Sequence, residues 1–92
     1  MDQRIIVWTE YMKYRLQIRN FDPATVEYIL RYSPERYVDT ITGRLVVIGL
    51  HNNTLVMIPY EQKSGNLIPV TVHSISRQQV NSRLKSGRFA NE

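Results

Sequence analysis

The feature that most constrains this chain is a change of hydrophobic period at Pro34. Before it, apolar residues recur at helical spacing, Met12 with Leu16 and then Val26 with Ile29 and Leu30. After it they gather in short β-branched runs, Leu45-Val46-Val47-Ile48 and Leu55-Val56-Met57-Ile58, bounded by turn residues. This change from a period near 3.6 to a period of 2 separates the two central helices from the main run of strands, so the expected class is α+β. With 92 residues there is material for one core only, and residues 1–92 are expected to form a single domain.

The element boundaries follow from local chemistry. Arg4-Ile5-Ile6-Val7-Trp8 is β-branched and aromatic and too short for a helix, and it reads as an opening strand. Thr9 can cap a helix from residue 10 to about 19. Asp22-Pro23 is a stronger start signal: Asp22 caps, Pro23 fills the first helical position where its missing N–H costs nothing, and Phe21 can staple onto Val26. This second helix should stop near Tyr32, because Pro34 excludes Ser33 from the helical region. Turn signals at Thr42-Gly43, Asn52-Asn53 and Lys63-Ser64-Gly65-Asn66 then separate four strands, at about 36–39, 45–51, 55–61 and 67–74. They are expected to form an antiparallel meander with the helices on one face. In the last strand Ile68, Val70 and Val72 should face the core while Thr71 and His73 face away. Pro59 and Pro69 belong at strand ends, edges or bulges. Ser76 and Gln79 have capping-box spacing, and Gly87 is placed to end the C-terminal helix after Lys85. Arg77, Asn81 and Lys85 recur every four residues on that helix, and Arg83 and Arg88 widen the positive stripe.

Twelve Lys and Arg against eight Asp and Glu give a net charge of +4, which suits an anionic partner. The absence of cysteine excludes disulfides, thiolate zinc sites and a thiol nucleophile. His51 and His73 are the two histidines, and they are too isolated in sequence to specify a metal site with Asp39 or Glu61. No phosphate-binding Gly-rich loop, His-Glu-x-x-His or Gly-x-Ser-x-Gly occurs, and no cofactor is expected. No run is long enough to span a bilayer and no leader pattern is visible, so the expected location is cytoplasmic, without a membrane partner.

One metal-free reaction fits a small basic sheet, the cleavage of RNA by its own 2′-hydroxyl. It needs a base for the 2′ proton, cations for the phosphorane oxygens and an acid for the leaving oxygen. Arg44 and Arg77 suit the phosphate, since guanidinium presents parallel donors. Glu61 and His73, on neighbouring strands of the expected meander, are candidates for proton transfer, and Tyr60 or Tyr37 could stack a base. Lys13 could line an RNA groove, as could Asn81, Lys85 and Arg88 from the C-terminal stripe. Arg15 and Arg19 could do the same or pair with Glu10, Glu27 or Glu35, and Glu61 could equally sit in a surface ion pair.

From Trp8 to Phe89 the order of elements resembles the RelE/ParE superfamily of bacterial toxins, particularly its BrnT-like branch and related uncharacterised families. Arg15-x-x-x-Arg19-Asn20-Phe21-Asp22 with Val26 is similar to the first-helix end, cap and second helix of those relatives. Gly43-Arg44, Ile48-Gly49, Leu55-Val56, Pro59-Tyr60-Glu61 and Ser76-Arg77 are similar to the strand and C-terminal motifs of BrnT, without the alanine that there separates the last pair. The resemblance implies an endoribonuclease toxin, ribosome-dependent or acting on free RNA, neutralised by a cognate antitoxin protein. It carries Arg44 and Arg77 over as phosphate or transition-state contacts. A non-catalytic module of the same fold that engages a protein or nucleic acid, or a gyrase inhibitor, stands as the alternative.

Overall fold

The computed structural model describes residues 3–92 and contains three helices and six strands. Helices α1 (Glu10–Ile18) and α2 (Pro23–Tyr32) precede strands β1 (Glu35–Asp39), β2 (Leu45–His51), β3 (Thr54–Lys63), β4 (Asn66–Pro69) and β5 (His73–Ser74). Helix α3 (Arg77–Ser86) and strand β6 (Phe89–Asn91) complete the chain. The fold is α+β, with strand order β4-β3-β2-β1-β6 and β5 paired to β3, all antiparallel.

The helix ends form where the sequence marks them. Thr9 accepts from the Met12 N–H at 3.1 Å, and Asp22 accepts from the Thr25 N–H at 3.1 Å with Pro23 at the first position. Ser76 and Gln79 make both bonds of the capping box, at 3.0 and 2.9 Å. Gly87 closes α3 at φ 82°, a left-handed conformation that an L side chain would strain. Arg36 covers the end of α2, donating to the carbonyls of Leu30 and Ser33 that the helix itself leaves unpaired.

Both faces of the sheet are covered, which differs from the expectation of helices on one face. Met12 and Leu16 of α1 and Val26, Ile29 and Leu30 of α2 pack on Val47, Val56, Ile58 and Tyr60. On the opposite face Val80 of α3 packs with Val46, Ile48, Met57, Ile75 and Phe89. Central strand β2 therefore buries Val46, Val47 and Ile48 in succession, the continuous apolar run of a strand enclosed on both sides.

Three strand assignments change. The expected opening strand is reduced to one parallel bridge, Ile6 with Leu67, held by Val7 N–H to the Leu67 carbonyl and Leu67 N–H to the Ile5 carbonyl, each 2.8 Å. The expected 67–74 strand is broken in two. Pro69 faces Tyr60 and His73 faces Met57, so four steps on this side oppose three on β3, a bulge whose Val70 N–H donates to the Pro59 carbonyl. The extra residue reverses the alternation: Leu67 and Pro69 are buried ahead of it and Val72 after it, while Ile68 and Val70 are only half-buried. The third change is an addition, β6, which follows Gly87 and pairs with β1 as Asp39 with Phe89.

Two close fits should be visible in unfolding. A Cβ on Gly49 would lie 2.7 Å from Ile29 Cγ2, so α2 crosses β2 where no side chain fits. Gly49→Ala is expected to lower the unfolding free energy by about 1–3 kcal/mol in urea melts, the usual cost of overpacking. His51, 7% exposed, accepts the Asp22 N–H at Nε2 (2.8 Å) and meets the Phe21 ring edge-on at 5.0 Å. His51→Ala is expected to cost about 1–3 kcal/mol in the same assay, because a donor at the start of α2 loses its acceptor.

Candidate functional site

The end of the sheet where β1 turns into β2 brings several cationic side chains together. Asp39 ends β1 and is buried, 4% exposed, with its carboxylate accepting from the Ile41 N–H at 3.0 Å and the Thr42 N–H at 3.4 Å. Arg88, just beyond the end of α3, grips the same carboxylate through Nη2 at 3.1 Å and Nε at 3.3 Å. Its Nη1 has no protein partner among the described residues. Arg83 lies with its guanidinium carbon 5.4 Å from the centre of the Phe89 ring and its Nη1 3.3 Å from Met57 Sδ. No carboxylate among the described residues pairs with Arg83.

These groups and Arg44 border a groove of about 300 Å³, whose other walls include Thr42, Pro59, Thr71 and His73. The β3–β5 bulge shapes it, since the Met57–His73 pairing sets the imidazole on the α3 side of the sheet. Arg15 reaches over from α1 and donates from Nε to Thr71 Oγ1 at 3.1 Å. Burial is the largest influence on His73, followed by Arg15, Arg83 and Arg19, and all four push its pKa below the ordinary 6.5. The imidazole has no hydrogen-bond partner among the described residues, and near neutral pH it is an uncharged base ringed by guanidinium groups.

The other residues singled out from sequence occupy different places. Arg77 stands at the opposite end of β1 from Arg44, bound through two bonds of 2.6 and 2.9 Å to Glu35. The length of β1 separates the two ends by roughly 13 Å, at about 3.3 Å per residue, so Arg44 and Arg77 do not line a common cavity. Glu61 lies 3.9 Å from Arg44 and is four residues along β3 from the partner of His73, again roughly 13 Å. The expected Glu61–His73 pair is therefore not juxtaposed. Tyr60 cannot present its ring to a base: it is 2% exposed, on the α1–α2 side of the sheet, with Arg36 bonded to its hydroxyl at 2.9 Å. Tyr37 stacks on Phe89 at 5.5 Å and donates to Glu35.

Lys13 pairs with Glu10 at 3.2 Å and lines an apolar cavity of about 460 Å³ with Trp8, Leu16 and Phe21, on the flank of α1 away from Arg15. Asn81 and Lys85 are exposed on α3 as expected, but they lie about 160° around the helix from Arg83, which enters the groove. Arg83 therefore does not widen the Arg77–Asn81–Lys85 stripe as expected; its place in the groove depends on which flank of α3 meets Met57. Among the described residues no three His, Asp or Glu side chains converge as metal ligands would, and no helix is long and apolar enough to cross a membrane.

Comparison of the chain with protein-family models, with curated proteins and with solved structures finds no match in any of the three.

The ion pairs at the two ends of β1 set the acid response. Burial pushes the Asp39 carboxyl up, but the bonds from Arg88, Ile41 and Thr42 outweigh it and the pKa falls below the usual carboxylate value. Arg77 does the same for Glu35, with burial opposing and Tyr37 assisting. Folded values below the unfolded ones mean a contribution fully present above about pH 5 and lost as pH falls through the folded values. Urea unfolding is expected to weaken on acidification from pH 6 to pH 3. Asp39→Asn should be less stable at pH 6 and decline less steeply over that range.

Proposed function

We propose that this protein is a RelE/ParE-like, BrnT-like toxin that cleaves RNA without a metal ion, acting as an mRNA interferase held in check by a cognate antitoxin protein. The observation that carries this reading is the half-buried His73 imidazole, without a hydrogen-bond partner among the described residues, in a groove bordered by Arg44, Arg83 and Arg88. In that arrangement His73 accepts the 2′-hydroxyl proton, the 2′ oxygen bonds to phosphorus, and the bond from phosphorus to the 5′ oxygen breaks. The guanidinium groups hold the charge that builds on the non-bridging oxygens, where fixed donors act most strongly. The leaving 5′ oxygen takes a proton from water at the mouth of the groove. Asp39 contributes as a positioning residue, fixing Arg88 by two of its donors.

The test is incubation of the purified chain with RNA in EDTA. Wild type is expected to yield 2′,3′-cyclic phosphate ends. His73→Ala should slow cutting by about 100-fold or more, the range typical for loss of a general base. Arg83→Ala should weaken RNA binding and its salt dependence. Lys13→Ala, which removes a charge from the far flank of α1, should leave both unchanged. Because the His73 pKa is depressed, cutting should rise with pH and level off below pH 6.5. Uncut RNA that still binds through Arg83 would instead identify a binding module, and RNA that neither binds nor is cut would remove both readings.

A further inference from the structure

The groove does not end at His73. Thr71, in its wall, accepts the Arg15 Nε–H at 3.1 Å, and the same guanidinium lies 6.0 Å from the centre of the Tyr11 ring. Tyr11 and Arg15 are one turn apart on α1, so Tyr11 stands next to the groove on the side where Arg15 leads away from it. Tyr11 is 55% exposed. Helix α1 buries Met12 and Leu16; Tyr11, Arg15 and the C-cap Arg19 follow one another at four-residue spacing along one flank, from which Arg15 reaches Thr71 and both arginines act on His73, while Lys13 and Gln17 border the Trp8 cavity. An exposed aromatic ring beside cations is a platform on which any base can stack, while the cations follow the backbone.

On the reading of the groove as an RNA site, we infer that a bound strand leaves the groove across Arg15 and stacks a base on Tyr11, so that the substrate must be single-stranded on that side of the bound phosphate. A base in a duplex is already stacked and paired and cannot lie flat on a ring at this position. A protein surface is the poorer occupant, because covering Tyr11 with apolar groups would also bury Arg15 and Arg19. Neither pairs with a carboxylate among the described residues, and an uncompensated buried charge is costly. Nucleic acid supplies the base and the counter-charge together.

The experiment measures binding of a short 2′-O-methyl RNA, which cannot be cut, with a single abasic position moved along it. Wild type is expected to show one position, or two adjacent ones, where loss of the base weakens binding by roughly 5- to 100-fold. Tyr11→Ala should weaken binding of the intact oligonucleotide by a similar factor and abolish the sensitivity to that abasic position. Tyr11→Phe should preserve both, and Tyr14→Ala, on the outward face of the same helix, should change neither. The same sequence in a blunt duplex should bind no better than the abasic strand. If Arg83→Ala weakens binding but Tyr11→Ala and the abasic scan have no effect, the groove stands as an RNA site and the Tyr11 platform is overturned. If wild type shows no salt-sensitive binding, or Arg83→Ala does not alter it, the RNA reading falls and the platform with it.

Discussion

The buried carboxylate of Asp39 is the contact on which fold and groove both depend. It ends β1, satisfies two N–H groups of the turn into β2 and holds Arg88, which leads into β6. Removing a charge from water is tolerable only when its lone pairs are fully used, and here backbone donors and a guanidinium use them. The same arrangement that makes burial possible fixes Arg88 in the groove wall with part of its donor edge unspent.

The second constraint is the enclosure of the sheet. With α1 and α2 on one face and α3 on the other, the side chains of β2 and β3 are committed to one core or the other along most of their length. Polar chemistry is thereby pushed to the ends of the strands and to the bulge between β4 and β5, where backbone pairing fails and Val70 and Thr71 open onto the groove. Tyr60 illustrates the effect. It follows Val56 and Ile58 at the strand period, so it belongs to the helix-side core however suitable its ring would be for a base.

Signals that act within a few residues were read correctly from the sequence. Capping by Thr9, Asp22 and Ser76, the stop before Pro34, the left-handed Gly87 and the antiparallel order of β1 to β4 all depend on hydrogen bonds or steric limits spanning short stretches of chain. The bulge was missed because the alternation of Ile68, Val70 and Val72 with Thr71 and His73 leaves no trace of an extra residue, and Pro69 marks only that pairing is weakened nearby. β6 was missed because three residues after a helix stop carry no period of their own, and their strand character comes from the free edge of β1. The opening strand was overextended, since its β-branched residues meet a neighbour only at Leu67.

For the groove, composition determined that cations would be plentiful, and the alternation of Val72 with His73 determined that His73 would face away from the helix-side core. Which cations meet was decided by tertiary structure alone. Arg44 and Arg77 flank opposite ends of β1, while Arg44, the Arg83–Arg88 segment and Arg15 come together from three different parts of the chain. Long charged side chains gain little from their immediate sequence neighbours, so nothing local directs them. Their positions are fixed by how α3 rotates onto Met57, how β6 docks on β1 and how far α1 reaches over the bulge. Those are outcomes of packing two faces of one sheet, and they exist only once the whole domain has folded.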